Sequence, residues 1–522
     1  MRTITMGPPT LDGIDADVLG VTVRPGRELS GAAARVDEWL DGALARCLEE
    51  GSFRAEADEV QLFPTGDRDR PAVVAVGVGT GEVGGERVRR AAGTVSREAR
   101  GRAADTFAFA VPRAAGTDQA HAVRAAAVGV TLGDWSFDGL RDRDGAKGWR
   151  RNPRPGRAVL FAGGTGADRD GGADDLDGAA AQGRKIAEAQ NFARDLAFQP
   201  ANVVTPRHLA GRARDLAERY DALEAEAWGP ERLREEGFGA LLAVARGSEE
   251  PPRFITLNYL PPEAPERTPP SGGTDDDGIP TYVLAGKGVT FDAGGISLKP
   301  SEGMGDMKYD MSGAAAVLGA VRAAAELSLP VRVVGLVPAT ENLPSGGALK
   351  PADVIRGVSR KSIEIISTDA EGRLILSDTL SHAARYRPDA VVDVATLTGG
   401  CIVALGRHAA GLLTDDDGMA DALIGAGERT GERLWRLPLW DAYREQLDSE
   451  IADVKNTGGK GASTVTAAWF LKEFVGSYRW AHLDIAGTAW AEKATPLQPE
   501  GATGFGVRLL AEWLLSESRA GR

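Results

Sequence analysis

The sequence predicts an α/β protein in which a smaller N-terminal α/β domain is joined by a helix to a larger C-terminal α/β domain with a mixed central sheet. Its 522 residues suffice for two domains that each bury a core. Short apolar runs typical of strands alternate with longer stretches typical of helices. Gly and Pro, at 67 and 28 residues, are too few for a low-complexity chain, so we expect the chain to fold.

The predicted N-terminal domain covers residues 1–178. Apolar runs at 71–79, 106–112 and 157–164 are typical of strands, and the Ala- and Arg-rich stretches between them are typical of helices. Polar, Gly-rich sequence within 141–178 predicts loops or a linker. This alternation of strand and helix indicates an α/β layer.

A helix predicted at 179–197 joins this domain to the rest of the chain. Apolar residues recur there at spacings of three and four from Ile186 to Leu196, which gives the helix one apolar face. The second domain is predicted at 198–522, and its near-continuous apolar strands are typical of a sheet covered on both faces. A Pro-, Gly- and Asp-rich insertion at 261–278 predicts an exposed loop.

Composition narrows the function classes. The formal net charge of −14 disfavours a general attraction to nucleic acid or to anionic membranes. The sequence has neither a secretion-signal pattern nor an uncharged apolar run of roughly 18 residues, so we expect a cytoplasmic protein. With only five His and two Cys, and no H-E-x-x-H or C-x-x-C pair, any metal site must use other ligands.

Two clusters of charged residues follow strand-like runs in the second domain. Asp292 and Asp310 belong to the first cluster, within 286–313. Asp369 and Glu371 belong to the second, which directly follows a predicted strand at 362–367. Either cluster alone could consist of helix N-caps, but both together favour a ligand site at one sheet edge. Four converging carboxylates repel each other unless cations compensate them, and two divalent metal ions would balance the charge. Oxygen ligands leave Mg²⁺, Mn²⁺, Co²⁺ and Zn²⁺ open.

Several sequence segments closely resemble the signature segments of the leucyl aminopeptidase (cytosol aminopeptidase) family. They include KGVTFDAGGISLKP, MKYDMSGAAAV, STDAEGRLILSD and HLDIAGTAW, and the likeness covers nearly all of 195–515. The resemblance implies a metal-dependent enzyme that hydrolyses the N-terminal peptide bond of peptides and prefers Leu-like apolar residues. It further implies a water bridging two divalent metal ions, with Mn²⁺ or Zn²⁺ expected, and a homohexamer.

The resemblance also assigns roles to individual residues. The implied metal ligands are Lys287, Asp292, Asp310, Asp369 and Glu371. Asp292 and Glu371 would bridge both ions. Lys299 would polarise the substrate carbonyl, and Arg373 would hold a bicarbonate that acts as general base. The residues implied to line the pocket for the N-terminal side chain are Met307, Thr396, Gly399, Ala486 and Ala489.

The sequence departs from the family pattern at three places outside the implied ligands, one of which is Phe198-Gln199 in place of the commoner Asn-containing turn. Ser367 stands where Asn is usual, and Ala352 stands where Gly is common. Two other functions stay open at this point. One is a DNA-binding architectural side role of the oligomer, which the net charge disfavours. The other is a different two-metal hydrolase, such as a phosphatase, for which an amine-binding pocket would have no purpose.

Overall fold

The computed structural model describes residues 3–7, 10–11, 13–26, 28–65, 70–113, 118–137, 139–140, 154–162, 175–262 and 279–520. Most of the predicted loops within 141–178 and 261–278 therefore lie outside the described residues. The chain divides into two units, Met1–Glu188 with Glu492–Glu500, and Ala189–Ala491 with Gly501–Arg522. None of the described helices is both long and apolar enough to cross a membrane.

The first unit contains a mostly parallel sheet with helices on its faces. Its described strands are β1 (Thr3–Met6), β2 (Val18–Val23), β3 (Val60–Phe63), β4 (Ala72–Gly77), β5 (Thr106–Ala110) and β6 (Arg157–Phe161). They are ordered β1-β6-β5-β2-β4-β3, and only β3 runs antiparallel to its neighbour. Its described helices are α1 (Gly31–Trp39), α2 (Ala43–Glu50), α3 (Gly85–Gly101) and α4 (Gln119–Gly133).

The long helix α5 (Leu176–Phe198) contains residues of both units. It includes the stretch 179–197, in which the apolar residues Ile186, Ala189, Phe192 and Leu196 are buried. The spacing of these residues at about one helical turn explains why a helix forms here. The predicted limits of the two domains stay predictions.

The second unit is larger, and its elements need to be identified before the site can be placed. Its described strands are β7 (Leu223–Trp228), β8 (Arg253–Tyr259), β9 (Thr281–Gly286), β10 (Gly288–Asp292), β11 (Arg332–Asn342), β12 (Val354–Arg356), β13 (Ser362–Glu364), β14 (Ala390–Ala395), β15 (Ala410–Leu413), β16 (Leu434–Arg436), β17 (Val454–Lys455), β18 (Arg479–Asp484), β19 (Trp490–Ala491) and β20 (Gly501–Ala502).

Helices cover this unit's sheet. They are α6 (Pro206–Arg219), α7 (Pro230–Glu235), α8 (Gly239–Ala245), α9 (Ser312–Leu327), α10 (Glu371–Ala383), α11 (Gly399–Leu405), α12 (Asp417–Thr430), α13 (Ser463–Lys472) and α14 (Val507–Ala520). Short 3₁₀ helices occupy Met304–Tyr309, Ala384–Tyr386 and Asp441–Leu447. Both α9 and α10 contact β9, whose residues are all buried.

The central sheet of the second unit is mixed, as the sequence predicts. Its order is β16-β15-β18-β14-β9-β11-β8-β7, with β10 also pairing with β11. The strands β18, β14, β9, β11 and β10 are mutually parallel, whereas β8 and β15 run antiparallel to their neighbours in that group. The runs TYVLAG and AVVDVA of β9 and β14 are buried throughout, which is why they lack polar alternation.

One predicted strand lies elsewhere. The run 362–367 was expected to end at the same sheet edge as the other site residues, and this expectation is wrong. The strand β13 ends at Glu364 and belongs to a separate small sheet of order β12-β13-β17. Its parallel partner β17 comes from about 90 residues later in the chain, so local sequence could not reveal the pairing.

Candidate metal centre

Five parallel strands of the central sheet bring polar residues to one edge. Lys287 follows β9, Asp292 ends β10, and Asn342 ends β11. Thr396 follows β14, and Asp484 ends β18. Because the carboxyl ends of parallel strands meet at one edge of a sheet, these side chains can converge although they are far apart in sequence. This edge is where open α/β sheets bind ligands.

Lys287 lies at the centre of this group and is buried. Its Nζ is 2.8 Å from Asp310 Oδ1 and 2.8 Å from Glu371 Oε1, and it donates to the Thr396 carbonyl oxygen at 3.0 Å. Gly372 leaves room for it, since a Cβ there would lie 2.6 Å from Lys287 Cε. The lysine therefore connects the edge of the sheet to the first turn of α10.

Lys299 makes a second set of contacts. Its Nζ is 2.8 Å from Asp292 Oδ2 and 2.5 Å from Asp369 Oδ1. Asp292 is held from the other side, because its Oδ1 accepts hydrogen bonds from Asn342 Nδ2 and from the Gly294 N–H, both at 2.8 Å. Each lysine thus pairs with two different carboxylates.

Four acidic residues form what we call the carboxylate cluster: Asp292, Asp310, Asp369 and Glu371. Within it, Asp292, Asp369 and Glu371 each offer one oxygen, and these atoms lie within 4.8 Å of one another. Glu371 is the first residue of α10 and is buried, whereas Asp369 is partly exposed. The structure thus brings together all five residues that the sequence analysis names as metal ligands, together with Lys299.

Burial and mutual repulsion govern the electrostatics of the cluster. Burial alone would lower the pKa of Lys287 and of Lys299, but the neighbouring carboxylates outweigh it and raise both pKa values. Burial raises the pKa of Asp310, and the charge of Lys287 offsets only part of that rise. Burial, followed by repulsion from Asp292, raises the pKa of Glu371. The ammonium groups of Lys287 and Lys299 in turn stabilise the ionised forms of these carboxylates.

The donor set fits divalent metal ions. Asp310 Oδ2 and Glu371 Oε2 are buried and accept no hydrogen bond from the described residues. Burying a carboxylate oxygen without a hydrogen-bond donor is unfavourable in free energy. Each of these two oxygens is therefore expected to have a cation or a water molecule as its partner. Carboxylate oxygens close together, with an amine beside them, are ligands for such ions.

Arg373 is buried one turn into α10. Its Nη1 donates to the Asn456 carbonyl oxygen at 3.0 Å, and its Nε has no hydrogen-bond partner among the described residues. Burial lowers the pKa of Arg373 to about 10, although the acids around it, Glu371 first, act to raise it. The guanidinium therefore stays charged near neutral pH, and its Nε is a buried donor without an acceptor among the described residues.

The residues predicted to line a pocket lie on several elements. Thr396 is joined directly to the cluster, because its Oγ1 donates to Asp310 Oδ1 at 2.7 Å. Met307 is half-buried in a 3₁₀ helix, and Gly399 is exposed at the start of α11. Ala486 and Ala489 are buried in the segment that follows β18.

Sequence reasoning missed four residues that support the site. Asn342 orients Asp292, and Thr368 joins two loops by donating from Oγ1 to the Gly294 carbonyl oxygen at 2.7 Å. Asn456 and Asp484 also lie beside predicted site residues. Asn342 and Asp484 could have been found, since each is a polar residue that ends an apolar strand. No local pattern marks the other two.

The chain was compared with known proteins. The profile of the cytosol aminopeptidase family, catalytic domain, matches residues 191–511, and that of the family's N-terminal domain matches residues 18–144. The chain belongs to the cytosol aminopeptidase family. It is therefore an aminopeptidase, and the predicted family, fold class and enzyme class are confirmed.

Individual proteins resemble this chain over most of its length. A probable cytosol aminopeptidase of Geobacter sulfurreducens is 46% identical over 488 residues, 93% of each chain. The solved structure of the bottromycin maturation enzyme BotP in complex with Mn is 37% identical with a TM-score of 0.81, covering 96% of this chain and 100% of that one. A mutant of tomato leucine aminopeptidase is 30% identical with a TM-score of 0.85, covering 99% and 97%.

Proposed function

We propose that the protein releases N-terminal residues from peptides, prefers Leu-like apolar residues, and uses two divalent metal ions, Mn²⁺ or Zn²⁺. The observation that carries this proposal is the buried carboxylate cluster, in which Asp310 Oδ2 and Glu371 Oε2 have no donor among the described residues. Membership of the cytosol aminopeptidase family supports the reaction class, and the solved structure of a relative with Mn supports a metal.

The contacts support a division of the ligands between two metal positions. Lys287 and Asp310 lie together on one side, and Asp369 lies on the other. Asp292 and Glu371 contribute to both positions. When bound, the two ions would supply Lewis acidity and lower the pKa of a water molecule that bridges them. As a ligand, Lys287 must be neutral, so a metal ion has to displace its proton.

Two cationic side chains have roles toward the substrate in this proposal. Lys299 remains protonated, because its carboxylate neighbours raise its pKa, and it donates a hydrogen bond to the carbonyl oxygen of the scissile bond. Arg373 would hold a bicarbonate through its unpartnered Nε, and this anion would supply a general base towards the attacking water.

The preference for a Leu-like side chain comes from a pocket of small and apolar residues. Its proposed lining consists of Met307, Thr396, Gly399, Ala486 and Ala489. A Cβ added at Gly399 would meet nothing within 4 Å, so this position leaves open space for a substrate side chain. Small residues around one Met produce an apolar pocket of the kind that binds a branched aliphatic group.

The assembly and location are also proposals. The exposed fractions of Trp435, Trp440 and Ile451 are 65%, 68% and 63%, and exposed apolar side chains of this size favour contacts between subunits. We propose that the chain forms a homohexamer and works in the cytoplasm. Light scattering coupled to gel filtration should give six times the mass of one chain.

The catalytic proposal is tested with purified protein that is stripped by EDTA and then reloaded with Mn²⁺ or Zn²⁺. Hydrolysis of leucyl-p-nitroanilide should require reloading, and N-acetylation of the substrate should abolish it. Glu371→Gln and Lys299→Ala should each lower kcat by about 100-fold or more. Glu473→Gln is the matched control, because this glutamate pairs with Lys361 and Arg444 elsewhere and should keep wild-type turnover.

The proposal would be wrong if metal-loaded Glu371→Gln or Lys299→Ala kept wild-type turnover. Hydrolysis of p-nitrophenyl phosphate without any release of p-nitroaniline would instead identify a phosphatase.

A further inference from the structure

Asp484 lies next to the metal centre but contacts none of its predicted ligands in the described structure. It is the last residue of β18 and is completely buried. We propose that Asp484 is a positioning residue that holds the segments following β14 and β18, and thereby places Lys287 and Asp310 for metal binding. The inference rests on the proposed function for the identity of the ligand that these residues bind.

The carboxylate of Asp484 is shared between the two segments. Its Oδ1 accepts hydrogen bonds from the N–H groups of Leu397 at 3.1 Å, Thr398 at 3.4 Å and Ala486 at 3.2 Å. Its Oδ2 accepts a hydrogen bond from Thr398 Oγ1 at 2.6 Å. One side chain therefore satisfies backbone donors of both segments, which would otherwise be buried without partners.

The segment that Asp484 holds controls two predicted ligands. Thr396 directly precedes Leu397, and its carbonyl oxygen accepts from Lys287 Nζ at 3.0 Å. Thr396 Oγ1 donates to Asp310 Oδ1 at 2.7 Å. A shift of this segment would therefore move the amine and the carboxylate of the same proposed metal position together.

Buried hydrogen bonds join β18, the strand that ends at Asp484, to the neighbouring strand β14. On the same face of β18, His482 Nδ1 lies 2.6 Å from Asp393 Oδ1, and Trp480 Nε1 donates to Asp393 Oδ2 at 2.7 Å. All three residues are buried, and Asp393 on β14 lies beside His482 in the register. Because these contacts join β18 to β14 below Asp484, the carboxylate has a defined position relative to both segments.

Thr398 gives a second way to test the same contact. Besides donating to Asp484, its Oγ1 lies 2.8 Å from Thr464 Oγ1 and accepts from the Cys401 N–H at 3.2 Å. Thr398→Val keeps the shape and the backbone N–H but removes the bond to Asp484 Oδ2, together with the contact to Thr464 Oγ1 and the N-cap bond from the Cys401 N–H. Asp484→Asn can keep the three N–H bonds at Oδ1, but it replaces the oxygen that faces Thr398 by an amide nitrogen and removes the negative charge, which acts on Arg373 and His482. Both variants therefore make smaller changes than Asp484→Ala.

A matched control exists in the same unit. Glu326 is also a largely buried carboxylate, and its Oε1 accepts hydrogen bonds from Arg322 Nε at 3.0 Å, from Arg322 Nη2 at 2.9 Å and from Tyr220 Oη. It lies in the last turn of α9, at the opposite end of that helix from Ser312 and the metal centre. Glu326→Ala thus removes a comparable set of hydrogen bonds without touching the proposed route or an element end that carries a proposed ligand.

The experiment measures Mn²⁺ affinity of EDTA-stripped protein by competition with a chromophoric chelator, together with KM for leucyl-p-nitroanilide. Asp484→Ala should weaken one of the two Mn²⁺ sites by about 10- to 100-fold, the range typical of residues that orient metal ligands, and should raise KM. Asp484→Asn should recover most of the affinity, and Thr398→Val should fall between Asp484→Ala and wild type. Glu326→Ala should lower the unfolding midpoint but bind Mn²⁺ as wild type does.

Wild-type Mn²⁺ affinity and KM in folded Asp484→Ala would overturn the inference. If Asp484→Ala does not fold, the same result in both Asp484→Asn and Thr398→Val would overturn it. An equal loss of affinity in Glu326→Ala would also overturn it, since the effect would then come from a general loss of stability. A wild-type protein without metal binding or leucyl hydrolysis would overturn the proposed function as well, whereas unchanged variants refute this inference alone.

Discussion

Replacing Asn342 by Leu should weaken both the fold and metal binding. Asn342 is 4% exposed, and its Nδ2 donates to Asp292 Oδ1 at 2.8 Å and to the Thr368 carbonyl oxygen at 3.0 Å. Leu has a similar size but cannot donate. A hydrogen bond to a carboxylate contributes about 1.5–3 kcal/mol and one to a carbonyl about 0.5–1.5 kcal/mol, so the free energy of unfolding should fall by about 2–4.5 kcal/mol.

The same substitution frees Asp292 to rotate, and loss of such an orienting contact typically weakens metal binding by about 10- to 100-fold. Urea unfolding in EDTA measures the stability loss, and Mn²⁺ titration measures the affinity. Asn258→Leu is the control, because Asn258 is half-buried on β8 of the same sheet and its Oδ1 accepts no hydrogen bond among the described residues. The reasoning is refuted if Asn342→Leu costs less than about 1 kcal/mol, or no more than Asn258→Leu.

Two further predictions concern stability. Burial lowers the pKa of His382 to about 4, so its unfolded form binds the proton more tightly. The contribution of neutral His382 to the free energy of unfolding is therefore complete above pH 6.5 and is lost as the pH falls towards 4. At pH 5 the loss is about 2 kcal/mol. His382→Phe should reduce this loss in urea titrations at pH 7.5 and 5, and an unchanged pH dependence would contradict the assignment. Ala352 has φ of 72°, so Ala352→Gly should raise the free energy of unfolding by about 1 kcal/mol, whereas Ala422→Gly within α12 should lower it; equal signs in the same unfolding assay would refute this.

The edge of the central sheet could be predicted from the sequence because its signals are local. The runs that form β9 and β14 are continuously apolar, which indicates strands buried on both faces. Charged residues directly after such strands must lie at the sheet edge, and Lys287 and Asp292 do so. The motif resemblance then supplied the enzyme class, which the family profile confirms.

Asp369 and Glu371 reach the carboxylate cluster by a different route from the one that the sequence predicts. They were expected to follow a strand of the central sheet, but the preceding strand β13 belongs to the small sheet with β12 and β17. What brings them to the site is the docking of α10, whose first residue is Glu371 and whose body packs on β9 and β11. The packing of a helix on a distant strand depends on tertiary contacts, which strand and turn patterns do not encode.

The spacing of residues in the sequence does not show which lysine is the proposed metal ligand and which is the proposed hydrogen-bond donor, because both lie near acidic residues. The structure separates them by exposure: the side chain of Lys287 is 4% exposed, and that of Lys299 is 21% exposed. A nearly inaccessible amine cannot reach a substrate, but it can lose its proton to become a ligand once a metal ion replaces the positive charge. A partly exposed ammonium keeps its charge and can be reached by a peptide carbonyl. The difference in exposure therefore supports Lys287 as the metal ligand and Lys299 as the hydrogen-bond donor to the substrate.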